Sequence, residues 1–271
     1  MTKYGMAIDL TRCAGCQTCV VTCQLHNNQR PGIAWGHVDA LESGKWPDSK
    51  RVYLSHACMH CEDAPCVSAC PTGASVKRDD GIVTIDYEAC IGCGNCIAAC
   101  PYGARTLSMD DVWFFDAKTP SPYEAEGVQR IKVAEKCIFC CDRIKDGSNP
   151  YCVDACPTSA RIFGDLDDSN SQINAYIKDN NAENLPNTSM YYVKGDYDID
   201  LPGALMVASA HAPETKKVKE KKKEENNPTV PIAIGAGVVV AAGAAAGIGY
   251  SVNKKNKNKS AASAHEGKDD E

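Results

Sequence analysis

The sequence predicts an α+β fold in which one cysteine-bearing unit is repeated, followed by a single C-terminal helix. Three observations predict this arrangement. All 17 cysteines lie before residue 157 and fall into four sets with related spacing. Similar short runs flank these sets, and internal repetition of this kind indicates a duplicated unit. Near the end of the chain, residues 230–252 form an uncharged run of 23 residues, long enough for a helix that spans a bilayer.

The cysteine sets share a spacing that suits a metal cluster. In each set, two residues separate the first two cysteines and three residues separate the last two. Set one is Cys13, Cys16, Cys19 and Cys23; set two is Cys58, Cys61, Cys66 and Cys70; set three is Cys90, Cys93, Cys96 and Cys100; set four is Cys137, Cys140, Cys152 and Cys156. In a Cys-x2-Cys-x2-Cys-x3-Cys-Pro run, three thiolates hold one cubane and the last ligates another cluster. The spacing therefore predicts four [4Fe–4S] clusters held by these four sets.

The segments around the sets predict short strands, a hairpin and helical turns. Sets two, three and four end in Cys-Pro, and proline ends the helical turn before it. Residues 7–9 and 84–86 predict strands before sets one and three, and Asp80-Gly81 predicts a hairpin between residues 75–77 and 82–85. The repeated unit resembles the ferredoxin βαββαβ fold, which holds two clusters in pseudo-symmetry. We therefore expect two ferredoxin-like two-cluster modules within residues 1–210.

Zinc is the main alternative metal for these cysteines, because Cys-x2-Cys pairs also build tetrahedral zinc sites. Such sites do not need three evenly spaced thiols followed by x3-Cys-Pro, so clusters are favoured. Disulfides are disfavoured because neighbouring Cys-x2-Cys thiols make poor structural bridges. Cys141 directly follows Cys140 and is expected to be a small buried hydrophobe rather than a ligand.

Charge divides the chain into the same two regions. Residues 211–271 hold eleven lysines and eight acidic residues, whereas residues 1–210 hold 18 basic and 27 acidic residues. The cysteine region is therefore acidic, which argues against nucleic acid as a partner.

Several motifs resemble the iron–sulfur subunit of polysulfide, thiosulfate and dimethyl sulfoxide reductases, which are molybdopterin oxidoreductases. They are YGMAID at residues 4–9, CAGCQTC at 13–19, CPTGAS at 70–75 and CPTSARIFGDL at 156–166. The resemblance extends over roughly residues 3–168 in order, spacing and flanks. Residues 110–135 depart from the pattern and are expected to form a surface loop, with partner docking as the alternative.

The resemblance implies which cysteines share a cluster. Sets one and four pair, as do sets two and three, and each set gives its last cysteine to the partner cluster. Cluster one would use Cys13, Cys16, Cys19 and Cys156; cluster two, Cys58, Cys61, Cys66 and Cys100; cluster three, Cys90, Cys93, Cys96 and Cys70; cluster four, Cys137, Cys140, Cys152 and Cys23. In related nitrate reductase subunits, tryptophan replaces the second cysteine of set three and gives a [3Fe–4S] centre. Cys93 occupies that position here, so four [4Fe–4S] clusters are expected.

The resemblance implies an electron-transfer subunit that links a membrane quinol pool to a molybdopterin-containing catalytic subunit. The sequence contains no Ser-His-Asp set, phosphate loop or dinucleotide fingerprint, so no catalytic residue is assigned and the substrate site belongs to the partner. A quinol-oxidising membrane subunit would be a further partner. The alternatives are the beta subunit of a membrane-bound formate dehydrogenase or hydrogenase, a free ferredoxin-like carrier, and a zinc-bound interaction module.

The C-terminal region divides into a charged linker (211–229), a transmembrane helix (230–252) and a charged tail (253–271). Lysines flank the helix on both sides, which leaves its orientation open. The N-terminus carries no apolar signal region and no twin arginine. The resemblance implies co-export with a signal-bearing partner. We therefore expect a membrane-anchored protein with an extracytoplasmic cluster domain, and the cytoplasmic face is the alternative.

Overall fold

A computed structural model of the chain describes residues 2–112 and 130–210. These residues form a mixed α and β fold with four small sheets and seven helices, in agreement with the predicted α+β class. They all lie in the first of the two units into which the chain divides, Met1–Val218.

The strands and helices of the described residues are short. The strands are β1 (Tyr4–Asp9), β2 (His37–Ser43), β3 (Lys50–His56), β4 (Ser75–Lys77), β5 (Val83–Ile85), β6 (Thr106–Ser108), β7 (Val133–Glu135), β8 (Arg161–Asp165), β9 (Glu183–Asn184) and β10 (Met190–Val193). The helices are α1 (Thr18–His26), α2 (Pro65–Ser68), α3 (Asn95–Ala98), α4 (Cys141–Ile144), α5 (Tyr151–Asp154), α6 (Gln172–Asp179) and α7 (Leu201–Ala210).

The largest sheet has the strand order β8-β1-β10-β9. Its central strand β1 runs antiparallel to β8 and parallel to β10. Met6, Ala7 and Ile8 are apolar in succession and fully buried, as expected for a strand covered on both faces. Because β1 leads directly into set one and β8 follows directly from set four, this sheet brings the first and last cysteine sets together.

Three hairpins make up the other sheets: β2 with β3, β4 with β5, and β6 with β7. The β4–β5 pair confirms the hairpin predicted at Asp80-Gly81. Gly81 has a φ of +81°, and the side chain of Asp80 accepts a hydrogen bond of 3.1 Å from the backbone N–H of Ile82. The longer β2–β3 hairpin pairs His37 with His56 at its open end and was not predicted.

The predicted helical turns lie between the third and fourth cysteines of sets two, three and four. They are α2, α3 and α5, each of four residues. Each ends two residues before its Cys-Pro, so the proline lies just beyond the helical turn, as predicted. In set one the last cysteine precedes Gln24 instead, and helix α1 continues to His26.

Several predicted segments lie outside the described residues. They are the charged linker, the helix at residues 230–252, the charged tail, and residues 113–129 of the segment at 110–135. Within residues 2–112 and 130–210, every helix is too short or too polar to cross a bilayer.

Candidate metal centres

The four cysteine sets surround four cavities, and each cavity is lined by three cysteines of one set and the last cysteine of another. Cavity one contains Cys13, Cys16, Cys19 and Cys156; cavity two, Cys58, Cys61, Cys66 and Cys100; cavity three, Cys90, Cys93, Cys96 and Cys70; cavity four, Cys137, Cys140, Cys152 and Cys23. The structure thus brings together the four thiols that were predicted for each cluster. Cys141 lines none of these cavities.

The four thiols of each cavity surround a space that is larger than a single metal ion. The four cavities have empty volumes of about 350, 320, 320 and 300 Å³ with their open mouths included. In the part of the chain that the structure describes, no three His, Cys, Asp or Glu side chains converge closely enough to hold one metal ion. A tetrahedral zinc site, by contrast, needs thiolate sulfurs about 2.3 Å from a single ion.

Packing of the short helices brings the last cysteine of one set to the cavity of another. Helix α1 of set one packs on α5 of set four, and α2 of set two packs on α3 of set three. Cys19 and Cys23 lie four residues apart on α1, so they share one face of the helix about 6 Å apart along its axis. Cys19 can therefore line cavity one while Cys23 lines cavity four.

The residue before the second cysteine has a positive φ in every set. It is Gly15 in set one (67°), His60 in set two (44°), Gly92 in set three (66°) and Phe139 in set four (54°). This left-handed conformation turns the chain around the cavity and favours glycine. At Gly92 a Cβ would also collide with the carbonyl of Lys132. His60 and Phe139 adopt the same conformation at a cost of about 1–2 kcal/mol each.

Burial raises the pKa of the thiols that line the inner parts of the cavities. It raises the pKa of Cys61 to about 12 and that of Cys140 to about 12, and neighbouring thiols add to the effect. The pKa values of Cys23 and Cys137 are raised by the same causes. Metal ligands must be thiolates, so cluster binding displaces these protons and leaves buried negative charge. The surroundings must therefore supply positive charge.

Arg105 supplies positive charge between cavities two and three. It is buried, and its guanidinium donates to the hydroxyl of Ser75 at 2.8 Å and to the sulfur of Cys66 at 3.0 Å. Burial alone would lower the pKa of Arg105, but the negative charges of Cys66, Cys58 and Cys96 raise it. Because these thiols belong to sets two and three, one cation serves both cavities.

Arg161 holds the equivalent place between cavities one and four. It is buried, and it donates to the hydroxyl of Ser55 at 2.5 Å. Burial opposes its charge, but the thiolates of Cys152, Cys19 and Cys137 raise its pKa. Among the described residues, no carboxylate pairs with this buried guanidinium, so a negatively charged group in these cavities would compensate its burial.

A shared spacing in the sequence marks the positions of both arginines. Arg105 follows Cys100 by five residues and Arg161 follows Cys156 by five, each after Cys-Pro-x-x-Ala. In set two the same position is Ser75, which accepts the hydrogen bond from Arg105. The repeated flanks were recognised as evidence of duplication, but these positions were not recognised as part of the site.

Neutral donors surround Cys23 in cavity four. The side-chain amides of Asn27 and Gln29, both buried, donate to its sulfur at 3.5 and 3.1 Å. Hydrogen bonds to a ligating sulfur tune the reduction potential of an iron–sulfur cluster. Cys141, by contrast, is partly buried and packs against the hydrophobic core near Ile138 and Trp35, in partial agreement with its prediction as a small buried hydrophobe.

The cavities differ in their access to solvent. Cys16 in cavity one and Cys93 in cavity three are exposed, whereas cavities two and four contain no exposed cysteine. Ile91, which lines cavity three beside Cys93, is 67% exposed. Cavities one and three therefore open toward the surface, and cavity three opens next to an exposed apolar side chain.

Comparison with known proteins gives two matching family models. One is described as a 4Fe-4S dicluster domain and matches residues 49–115 and 108–166. The other is described as a 4Fe-4S binding domain and matches residues 10–26. Together the matched residues contain all four cysteine sets.

The chain is also similar to named relatives over most of their length. It is 42% identical over 216 residues to the "Putative dimethyl sulfoxide reductase iron-sulfur subunit" of Halobacterium salinarum, with 72% of this chain and 80% of that protein covered. It is 38% identical over 204 residues to the arsenate respiratory reductase iron-sulfur subunit of a Shewanella species, with 65% and 87% covered. It is 39% identical over 177 residues to the thiosulfate reductase electron transfer subunit of Salmonella typhi, with 63% and 80% covered.

Proposed function

Because this protein belongs to the family of iron–sulfur electron-transfer subunits of these reductases, we propose that it relays electrons between a membrane quinol pool and a molybdopterin-containing catalytic subunit. The four cysteine sets and the matched dicluster domains fit four [4Fe–4S] clusters. When bound, such clusters supply one-electron chemistry whose potential depends on charge, hydrogen bonding and solvent exposure. The chain itself has an electron-transfer role and no catalytic role.

The proposed ligands of each cluster are the four cysteines of each cavity. The observation that carries this assignment is the exchange of last cysteines: Cys23 lines the cavity of set four, and Cys156 that of set one. Cys70 and Cys100 are exchanged in the same way between sets two and three. Such exchange is the ligand pattern of two-cluster ferredoxins.

The exchange supports a layout of two ferredoxin-like modules, one built from sets one and four and the other from sets two and three. In the first module, strand β1 pairs with β8 and helix α1 packs on α5. In the second, helix α2 packs on α3, beside the β4–β5 hairpin. The second module lies within the sequence of the first, so the two are interleaved.

The buried side chains support one order of the clusters in a row. Arg161 joins cavities one and four, and Arg105 joins cavities two and three. The rings of His60 from set two and Phe139 from set four stack with centroids 3.8 Å apart, which joins cavities two and four. We therefore propose the order one, four, two, three. The exposed cysteines of cavities one and three then lie at the two ends, where electrons enter and leave.

The relatives also bear on the alternative functions. Their names describe subunits of reductases, which favours a component of a complex over a free ferredoxin-like carrier. The beta subunit of a formate dehydrogenase or hydrogenase would use the same clusters and differs in its catalytic partner. We propose membrane attachment through residues 230–252, because this uncharged run is long enough to span a bilayer. We propose the extracytoplasmic side for the cluster domain, because the family resemblance implies co-export with a signal-bearing partner.

Anaerobic affinity purification from membranes of the native host tests this function. We expect a large subunit to co-purify with the full chain and to contain molybdenum. The clusters of this chain should be oxidised when the substrate of that large subunit is added to the reduced complex. A chain shortened after residue 229 is expected to leave the membrane fraction while it keeps its iron. Purification of the full chain alone, with clusters that no partner oxidises, would support the free carrier instead.

A further inference from the structure

Lys136 is a fully buried cation beside the clusters. It immediately precedes Cys137 of set four and is 0% exposed. Its ammonium donates hydrogen bonds to the backbone carbonyls of Val83 and Cys137, the latter at 2.7 Å. In residues 2–112 and 130–210, no carboxylate lies within ion-pair distance of this ammonium. A buried ammonium without a counter-charge is strongly unfavourable, so another negative group must compensate it.

The ammonium of Lys136 contacts a residue of cavity two, although Lys136 itself belongs to the segment of set four. Val83, whose carbonyl it contacts, lines cavity two. Lys136 therefore places a positive charge from the first module against the cluster site of the second.

The contact between the two modules is fixed at this point by an aromatic pair. His60 and Phe139 stack with an interplanar angle of 25°, and His60 is completely buried. Both hold the left-handed conformation that glycine holds in sets one and three. His60 and Phe139 therefore retain a strained backbone conformation that glycine would adopt without strain. The stacking of their rings holds the loops of sets two and four against each other. His60 also accepts a hydrogen bond of 3.0 Å from the backbone N–H of Val83, the residue whose carbonyl Lys136 contacts.

The other cations near cavity two do not duplicate this charge. Lys77 donates to the carbonyl of Cys61 at 3.1 Å, but it forms an ion pair with Glu62 at 2.8 Å. Arg105 contacts Cys66 directly and is shared with cavity three. Lys136 is thus a second buried positive charge at cavity two that no carboxylate among the described residues offsets.

We propose that Lys136 is a positioning residue that raises the reduction potential of the cluster in cavity two, so that an electron is held at the junction between the modules. This inference rests on the ligand assignment proposed above. A nearby positive charge stabilises the reduced cluster, which is the more negative state. In a row ordered one, four, two, three, electrons pass between the two cluster pairs by transfer between clusters four and two. The affected cluster is therefore one of the two at the junction.

Substitution Lys136→Met tests the proposal, because it removes the charge and keeps most of the side-chain volume. The matched control is Lys145→Met, at an exposed lysine that follows helix α4 in the same segment. Redox titration of the cluster-loaded chain, followed by electron paramagnetic resonance, measures each cluster separately. We expect Lys136→Met to shift the reduction equilibrium of the cavity-two cluster at least tenfold toward the oxidised form, about 59 mV for a one-electron couple. The control should shift no cluster.

Assignment of the signals separates failure of this inference from failure of the proposed function. The variant Cys58→Ser identifies the signal of cavity two, and Cys152→Ser identifies that of cavity four. If four signals are present and none moves in Lys136→Met, or if only the cavity-four signal moves, the inference is wrong while the cluster assignment stands. If the unmodified chain lacks four clusters, the proposed function itself fails.

A charge-retaining variant keeps the test decisive if Lys136→Met loses the cavity-two cluster. We then expect Lys136→Arg to retain that cluster with its potential shifted less than threefold. Retention in Lys136→Arg alone would support a requirement for positive charge. Loss of the cluster in both variants would show that the shape of the side chain matters rather than its charge, and would overturn the proposal.

Discussion

Substitution Cys23→Ser is expected to damage the cluster of cavity four and to spare that of cavity one, although Cys23 belongs to set one. Its sulfur lines cavity four with Cys137, Cys140 and Cys152. Asn27 donates a hydrogen bond to that sulfur. Loss of one thiolate converts a cubane to a three-iron form or releases it, so the iron content should fall by about one to four atoms from about sixteen.

The reference variants for this experiment come from the same protein. Cys152→Ser should alter the same paramagnetic signal as Cys23→Ser, because both residues line cavity four. Cys19→Ser should alter a different signal, that of cavity one. Cys141→Ser is the matched control, since this cysteine lies outside the four cavities and should keep the full iron content. If Cys23→Ser resembles Cys19→Ser in its spectrum, the proposed pairing of sets one and four is incorrect.

Substitution Arg130→Met is expected to reduce the free energy of unfolding by about 3–5 kcal/mol, the usual cost of breaking a buried ion pair. Arg130 and Glu135 are both 0% exposed and lie 2.9 Å apart. The guanidinium also donates to the carbonyls of Asn27 and Asn28 at 2.6 and 2.9 Å, and it lies over the ring of Trp35. Removal of the guanidinium leaves Glu135 and these carbonyls with fewer buried donors.

The loss of stability in Arg130→Met should be larger than the loss caused by the same substitution at an exposed arginine. Arg51→Met on strand β3 is the control, because Arg51 is exposed and its loss should cost less than about 0.5 kcal/mol. Urea denaturation of the cluster-loaded chain under anaerobic conditions, followed by circular dichroism, provides the comparison. Since Asn27 and Trp35 line cavity four, cluster four should also be released first in Arg130→Met. Equal stability of the two variants would show that the buried pair contributes little.

The local elements around the cysteines could be predicted from the sequence because their causes are local. Asp80-Gly81 supplies the turn chemistry of the β4–β5 hairpin, and the proline after Cys70 or Cys100 ends a helical turn wherever it lies in the fold. The cysteine spacing likewise fixes which three thiols of a set can approach one cavity. The exchange of the last cysteines came from the family resemblance, and cluster ligation by these residues stays a prediction.

The features that the sequence did not reveal depend on contacts between distant segments. Lys136 was not recognised because its effect depends on Val83, which is 53 residues away in the chain. The pairing of β1 with β10 joins residues near 6 and 190, and no local pattern specifies it. Arg105 and Arg161 are different, since their equal distance from the preceding cysteine was visible in the repeat.

Quantification of iron, acid-labile sulfide and zinc in the anaerobically purified chain tests the central claim most directly. Four [4Fe–4S] clusters require about sixteen iron and about sixteen sulfide per chain, with no stoichiometric zinc. We expect this result for the full chain and for Cys141→Ser alike. Stoichiometric zinc without sulfide, or iron and sulfide near eight per chain, would contradict a four-cluster electron-transfer subunit.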